Sequence, residues 1–301
     1  MLEPEEATRV WDRGPGLDAP AVKPSVVAVA SGKGGVGKTH FCVNFALGLM
    51  QHRIRPMVFD ADVGFADVEV MLGVRPKRTL IDVLEGTSIF DAIEYGPGGV
   101  PFLSAGSGLL DLHDLTQEQV ERLMRQVTQL QERFDVVLLD CGSGMGPNFE
   151  RLLAGVDELF LLTTPEPTAL ADAYALLKLL TLRGVLPPVR VVVNRADSLV
   201  QARETAEKLR LVADRFLDAS VDVLGYILED DAVPRAVMQQ RALLSAFPQS
   251  PAARCFQQLV SNYLRLHPAP KPGGLTGFFT RLWHRLREGP GDAPGGASHT
   301  G

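Results

Sequence analysis

Short runs of apolar residues alternate along the chain with longer stretches of helical period, from about residue 26 to residue 266. The runs lack polar residues at alternate positions, a pattern typical of strands buried on both faces. These runs are Val26–Ala30, Met57–Phe59, Val136–Leu139, Leu159–Leu162, Val189–Val193 and Val223–Leu228. The stretches between them are long enough for crossover helices, as at Thr116–Arg133, Ala169–Leu182 and Gln201–Phe216. The pattern predicts a single α/β domain whose mostly parallel sheet carries helices on both faces.

The composition of the flanking segments suggests the domain boundaries. Residues 1–24 contain acids, proline and glycine without periodicity, which predicts a disordered N-terminal arm. We expect the domain at 25–266, a Pro/Gly linker at 267–274 and an amphipathic helix at 275–288. Residues 289–301 are low in complexity, which predicts a disordered tail.

A glycine-rich loop follows the first predicted strand and precedes a helical stretch. Its sequence from Gly32 to Thr39 fits the pattern G-x-x-x-x-G-K-[ST] in the strand–loop–helix context that a phosphate-binding loop requires. The glycines let backbone N–H groups point at phosphate oxygens, and the helix N-terminus adds positive potential. We expect Lys38 to pair with the β- and γ-phosphates and the Thr39 hydroxyl to ligate Mg²⁺. The predicted phosphate-binding residues are Gly32, Gly34, Gly35, Val36, Gly37, Lys38 and Thr39.

Carboxylates stand where two of the predicted strands end. Asp60 and Asp62 follow the second strand, and Asp140 ends the run that begins at Phe134. Because ligands of open parallel sheets lie beyond the carboxyl ends of the strands, these acids should face the phosphates. Asp60 and Asp140 are therefore candidates for holding Mg²⁺ together with Thr39.

The loop spelled KGGVGKT at 33–39 resembles the deviant Walker A motif of the MinD/ParA ATPases, which belong to the SIMIBI class. On chemistry alone, the second lysine, Lys33, is equally well a solvated surface charge. The resemblance implies that it reaches across an ATP-bound homodimer to the partner's phosphates, so that Lys33, Lys38 and Asp62 carry catalysis. On this interpretation Asp62 orients the attacking water, and ATP is hydrolysed to ADP and phosphate slowly, with stimulation by dimerisation or by a partner. Asn194 resembles the residue that recognises adenine, and the loop 229–231 closes over the base.

Four further segments resemble the branch of flagellar-number regulators known as FlhG, FleN or YlxH. They are residues 163–178, 79–86, 102–108 and 247–256. The resemblance implies control of flagellar number or placement, with partners such as an FlhF-type GTPase, flagellar switch proteins or a transcription activator. Two positions depart from the family pattern. Residues 5–11 keep little of the DQAxxLR segment, which argues against activation of a partner GTPase. Asp67 and Glu69 replace the asparagine and aspartate of GLANxD and add negative charge near the γ-phosphate, but Asp62 is intact and hydrolysis is still expected.

The segment near the C-terminus combines large apolar residues with arginines. Offsets of 0, 3, 4, 7, 8 and 11 place the apolar residues on one helical face. These residues are Leu275, Phe278, Phe279, Leu282, Trp283 and Leu286. Residues 271–288 carry a net charge of +3, whereas the rest of the chain carries −9. The pattern predicts a helix that lies on an anionic membrane surface, and the alternative is a helix that packs on its own domain.

The remaining composition limits the location and the competing functions. The chain has no apolar run of the roughly 20 residues that cross a bilayer, its first residues lack the apolar core of a secretory signal, and its three cysteines fit a reducing cytoplasm. We expect a cytoplasmic protein, peripheral on the inner face of the cell membrane. A ParA-like partitioning ATPase would need a basic surface for DNA, which the net charge of −6 does not favour, so specific nucleic-acid binding is not expected. Two more classes share the phosphate loop and stay open: a metabolic enzyme or iron–sulfur carrier, and an ATP-bound regulatory module with little turnover.

Overall fold

The computed structural model describes residues 25–61, 67–106, 116–142, 147–267 and 274–287. An eight-stranded sheet lies between two layers of helices, as the sequence predicts. The spatial order of its strands is β3-β4-β2-β5-β1-β6-β7-β8, and all neighbouring strands are parallel except β3 and β4. The strands are β1 Ser25–Ala30, β2 Pro56–Asp60, β3 Ile93–Tyr95, β4 Pro101–Ser104, β5 Val136–Asp140, β6 Glu158–Thr163, β7 Val189–Ala196 and β8 Val221–Leu228.

All six predicted strands are confirmed, and the sheet has two more at one edge. β3 and β4 have three and four residues and are joined by a turn rich in glycine. Such short strands carry no apolar run that periodicity can detect, so they cannot be predicted from the sequence pattern. They extend the sheet beyond β2 and place Ser104 level with Asp60.

Helices cover both faces of the sheet. They are α1 Lys38–Gln51, α2 Asp67–Leu72, α3 Leu80–Glu85, α4 Gln117–Leu130, α5 Pro147–Gly155, α6 Pro167–Leu182, α7 Leu199–Leu217, α8 Ala232–Met238, α9 Leu243–Ala246, α10 Pro251–Leu266 and α11 Gly274–Arg287. One face carries α1, α2 and α8–α10, and the other carries α3–α7 together with α11. None of the helices in the described part of the chain is long and apolar enough to cross a bilayer.

The helix that begins at the glycine-rich loop is fixed to the sheet by aromatic rings. Phe41 and Phe45 of α1 stack on each other, and both meet Phe160 of β6 nearly edge-on, with centroids 6.0 and 5.5 Å away. Phe256 and Tyr263 of α10 extend this cluster, and all five residues are buried. Edge-to-face aromatic pairs stabilise a packed core beyond their buried area. The cluster therefore fixes the position of α1 and of its N-terminus, where the phosphate-binding loop ends.

The C-terminal helix differs from its expected placement. The sequence predicts a helix separate from the domain, but α11 packs against α4, α5 and β1, and Leu275, Phe278 and Leu282 are buried in the domain core. The side chains of Phe279 and Trp283 are partly exposed, and that of Leu286 lies outside the described side chains. The approach is close, because a Cβ atom at Gly155 would lie 3.0 Å from the ring of Phe278. In this conformation the apolar face therefore has the domain, and not a membrane, as its neighbour.

Candidate nucleotide site

The glycine-rich loop turns sharply between β1 and α1. Gly35 and Gly37 have φ values of 75° and 96°, which side chains other than glycine rarely adopt, and Gly37 is the N-cap of α1. A Cβ atom at Gly32 would lie 2.1 Å from the main-chain oxygen of Asp172 on α6, so only glycine allows this approach. The first turn of α1 closes with the Phe41 N–H donating to the Gly37 carbonyl. The earlier N–H groups of that turn have no acceptor within the helix and are suited to phosphate oxygens.

Lys38 is folded over this loop. The residue is 9% exposed, and its Nζ donates to Ser31 Oγ over 3.2 Å. Ser31 Oγ in turn donates to the main-chain oxygen of Lys33, 2.7 Å away. Lys38 thus lies inside the loop, at the place where the sequence predicts that it contacts the β- and γ-phosphates.

Two of the predicted acids lie side by side at the carboxyl end of the sheet. Asp60 of β2 and Asp140 of β5 are register partners, and their residues are 2% and 1% exposed. Asp60 Oδ2 accepts a long hydrogen bond of 3.4 Å from the Val68 N–H. Asp62 lies outside the described residues, as does the side chain of Asp67.

This donor set fits a magnesium ion held together with a nucleotide. Thr39 supplies a hydroxyl, and Asp60 and Asp140 supply carboxylates, which are the oxygen ligands that Mg²⁺ takes. Across the described ranges there is no group of three or more His, Cys, Asp and Glu residues that could hold a metal by itself. Two carboxylates and one hydroxyl leave coordination positions of Mg²⁺ for waters and phosphate oxygens.

The cysteines next to these acids are buried. Cys42 of α1 is fully buried and Cys141 after β5 is 1% exposed, and neither forms a disulfide within the described residues. Burial raises the pKa of the Cys42 thiol well above its usual value, and the Asp140 carboxylate raises it further. Cys42 is therefore a neutral packing residue beside the site rather than a thiolate ligand.

Lys33 lies on the rim of the loop and pairs within its own chain. Its Nζ donates to Glu166 Oε2 over 2.7 Å and to Thr168 Oγ1 over 3.1 Å. Glu166 is the N-cap residue of α6, and its hydrogen bond from Lys33 lowers the pKa of its carboxyl. Both side chains are substantially exposed, so water screens this pair and it can exchange partners.

Asn194, the expected adenine contact, braces the glycine-rich loop. It is 8% exposed, and its Nδ2 donates to the Val36 carbonyl over 2.7 Å. Its Oδ1 accepts the Arg195 N–H over 3.0 Å. Arg195 has a φ of 59° at an irregularity between β7 and β8, and its Nε donates to Glu229 Oε2 over 3.1 Å. The sequence does not reveal this brace, because nothing in the local pattern relates residue 194 to residue 36.

The structure also brings His40 into the first turn of α1. Its ring meets Phe256 edge-on with centroids 5.6 Å apart, and no hydrogen bond satisfies its buried Nε2 within the described part of the chain. Burial lowers the pKa of His40 to about 4, so the imidazole is neutral at pH 7. His40 follows Thr39 of the loop, so its sequence position marks it as a candidate site residue, but only the fold shows that it is buried.

Comparison with known proteins relates this geometry to a family. The model of the CobQ/CobB/MinD/ParA nucleotide binding domain matches residues 27–244. The antiactivator FleN of Pseudomonas aeruginosa is 40% identical over 256 residues, which cover 84% of this chain and 91% of that protein. The flagellum site-determining protein YlxH of Helicobacter pylori is 28% identical over 265 residues, covering 85% of this chain and 88% of that protein.

Solved structures share the fold. The MinC:MinD cell division protein complex of Aquifex aeolicus aligns with a TM-score of 0.64 at 22% identity, covering 82% of this chain and 97% of that chain. The septum site-determining protein MinD of Pyrococcus horikoshii complexed with Mg-ADP aligns with a TM-score of 0.63 at 22% identity, covering 81% and 97%. At these identities the likeness concerns the fold.

Proposed function

The chain belongs to the CobQ/CobB/MinD/ParA nucleotide-binding family, and on this premise we propose that it is an ATP-driven switch that controls flagellar number or placement. It is a P-loop ATPase of the MinD/ParA type that uses ATP and Mg²⁺. The observation that carries the flagellar role is the 40% identity to FleN over 84% of the chain, and the likeness to YlxH agrees with it. Both likenesses cover more than four-fifths of the chain and therefore extend well beyond the phosphate loop.

Each site residue has a role in the proposed hydrolysis. Lys38 and the N–H groups at the start of α1 bind the β- and γ-phosphates, and Asp62 orients the attacking water. Thr39, Asp60 and Asp140 would hold Mg²⁺, which would neutralise charge on the phosphates. The bracing of the loop by Asn194 keeps these N–H groups preorganised, which is how such sites stabilise developing charge.

Lys33 makes dimerisation part of the same switch. In this chain it is held by Glu166 and Thr168, and in an ATP-bound homodimer it would leave them for the phosphates of the partner subunit. In this exchange, contacts of Lys33 with the triphosphate of ATP replace its exposed ion pair with Glu166. The triphosphate carries more negative charge than one carboxylate and more than the diphosphate of ADP, so ATP favours the exchange and ADP does not. Hydrolysis would then weaken the dimer.

Membrane binding requires α11 to leave the domain. Its buried residues Leu275, Phe278 and Leu282 are the ones that a bilayer surface would bury instead. α11 packs on α5, which follows the segment after Asp140, so changes at the γ-phosphate have a short route to the helix. Two released helices in a dimer would bind with roughly 10²–10⁴-fold greater avidity than one, which links membrane residence to ATP.

Co-sedimentation with anionic liposomes in ATP, ADP or no nucleotide tests this proposal. We expect the chain to sediment with vesicles in ATP and to remain in the supernatant in ADP. Trp283→Glu should abolish sedimentation while ATP binding persists, and Thr280→Glu, which adds the same charge at an exposed position of α11, should retain it. Equal binding in every nucleotide state would exclude an ATP-driven membrane switch. In the bacterium that carries the gene, deletion should change the number or position of flagella seen by electron microscopy.

A second candidate is an ATP-bound regulatory module that acts on a protein partner with little turnover. The FleN relative is an antiactivator by name, which favours it, and Glu69 adds a half-buried acid to the helix after β2. Tight ATP binding without phosphate release, and without ATP-dependent sedimentation, would support this candidate over the switch.

A further inference from the structure

A buried hydroxyl at the carboxyl end of β6 makes no hydrogen bond within the described ranges of the chain. It belongs to Thr164, which is 3% exposed and directly follows the strand. Nearly all buried polar atoms in proteins have a partner, because an unsatisfied one costs free energy. The neighbouring Thr163 differs, since its Oγ1 donates to the main-chain oxygen of Thr164 over 3.4 Å. The Thr164 hydroxyl therefore needs a partner that its strand does not supply.

The strand register places this hydroxyl beneath the phosphate-binding loop. Thr163 is the last residue of β6 in register with β7, so Thr164 stands beside Asn194. Successive side chains of a strand point to opposite faces, which puts Thr164 on the face of Leu162, where α1 packs. On that face Asn194 donates to the Val36 carbonyl of the loop. Thr164 and Asn194 are therefore neighbours beneath the loop, and the hydrogen bond of Asn194 shows that a loop carbonyl faces this side.

The chemistry of the loop indicates which group the hydroxyl meets. When N–H groups converge on phosphate oxygens, the carbonyls of the same peptides point away from the phosphate, toward the strand ends. A threonine hydroxyl has one proton to donate, and such a carbonyl accepts it. We propose that Thr164 is a positioning residue of the phosphate-binding loop, and that its hydroxyl donates to a loop carbonyl once the N–H groups turn to bound phosphate. This inference rests on the nucleotide site proposed above.

Nucleotide binding by the full-length chain tests this proposal. Thr164→Val keeps the shape of the side chain and removes the hydroxyl. Titration with fluorescent mant-ADP and its displacement by ATP, both with Mg²⁺, measure the affinities. We expect Thr164→Val to weaken both nucleotides by about 5- to 30-fold, because both place a β-phosphate on the loop. Thr164→Ser, which keeps the hydroxyl, should bind within about threefold of the parent chain.

Urea denaturation without nucleotide separates this role from a structural one. A hydroxyl without a partner does not stabilise the free chain, so Thr164→Val should unfold at the same urea concentration as the parent chain or at a higher one. Thr163→Val is the matched control, because it removes a buried hydroxyl that already has its hydrogen bond. It should leave the affinity for mant-ADP within about twofold of the parent value.

Three results would overturn the proposal. They are binding of mant-ADP by Thr164→Val within about twofold of the parent chain, equal weakening by Thr163→Val, and a lower urea midpoint for Thr164→Val. The last would show that the hydroxyl already has a partner in the free chain. Failure of the parent chain to bind either nucleotide would instead contradict the nucleotide site on which the proposal rests.

Discussion

The guanidinium of Arg281 on α11 clamps the end of α5, donating to the Gly155 carbonyl from Nε over 2.9 Å and from Nη2 over 2.6 Å. Nη2 also lies 3.1 Å from Asp157 Oδ1, and Asp157 Oδ2 accepts the Val26 N–H of β1. The last carbonyls of a helix have no partner inside it, so the clamp satisfies a group that would otherwise need water. It joins the C-terminal helix to the central strand that leads into the phosphate loop.

Removing this clamp should release the C-terminal helix. We expect Arg281→Ala to lose about 1.5–3 kcal/mol of docking free energy, the usual contribution of hydrogen bonds to a charged group. Sedimentation with anionic liposomes in ADP should therefore increase over the parent chain. Arg285→Ala removes the same charge from an exposed position and should not increase it. Equal sedimentation of both variants would contradict a role for the clamp in holding α11.

Weakening the pair between Lys33 and Glu166 should favour the dimer. Glu166→Gln removes the carboxylate charge that holds Lys33 in its own chain. Because water screens an exposed pair, its loss has a small effect, and dimerisation in ATP should strengthen by about 1.5- to 5-fold. Light scattering on a size-exclusion column checks this, with Glu229→Gln, which touches Arg195 and not Lys33, as the control. No change in the dimer fraction would indicate that Lys33 is not the exchanged group.

The buried ion pair at the amino ends of the strands should matter for folding and not for nucleotide binding. Glu158 is 2% exposed and is bound by Arg190, with His267 Nε2 3.3 Å from its other oxygen. Arg190→Leu leaves a buried carboxylate without its main partner and should lower the free energy of unfolding by about 3–5 kcal/mol. Urea denaturation measures this.

A double replacement provides the control for that prediction. Glu158→Leu combined with Arg190→Leu removes both charges, so much of the lost stability should return. If the double variant is as unstable as the single one, packing rather than an uncompensated charge explains the loss.

His40 predicts an acid-side loss of stability in the nucleotide-free chain. Burial lowers its pKa to about 4 from the ordinary 6.5, so the unfolded chain binds more protons between these values. The contribution of neutral, buried His40 to the free energy of unfolding is therefore fully present above about pH 6.5 and is lost as the pH falls toward 4. From pH 7.5 to pH 5, we expect His40 to account for about 2 kcal/mol of lost unfolding free energy. His40→Asn should flatten this slope in urea titrations, and His52→Asn, an exposed histidine after α1, should not.

The sequence predicted the parts of the fold that local chemistry determines. Apolar runs located β1, β2 and β5–β8, and strand-end position alone placed Asp60 beside Asp140, as the register confirms. The clamp of Arg281 on Gly155 and the contact of Asn194 with Val36 join segments more than 100 residues apart, and no periodicity encodes them. The apolar face of α11 must be buried, either against the domain or against a membrane. The sequence pattern therefore shows that this face needs a partner but does not show which one.

The place of β1 in the sheet has a consequence for biosynthesis. β1 is among the first segments made, but its neighbours are β5 and β6, with Val27 opposite Leu138 and Glu158. The ribosome must therefore deliver more than 100 further residues before this strand finds either partner. Until then its apolar side chains and unpaired edges are exposed, the situation in which nascent parallel sheets aggregate or recruit chaperones. A chain truncated before β6 would keep the whole phosphate loop but would lack β6, the strand that pairs with one edge of β1.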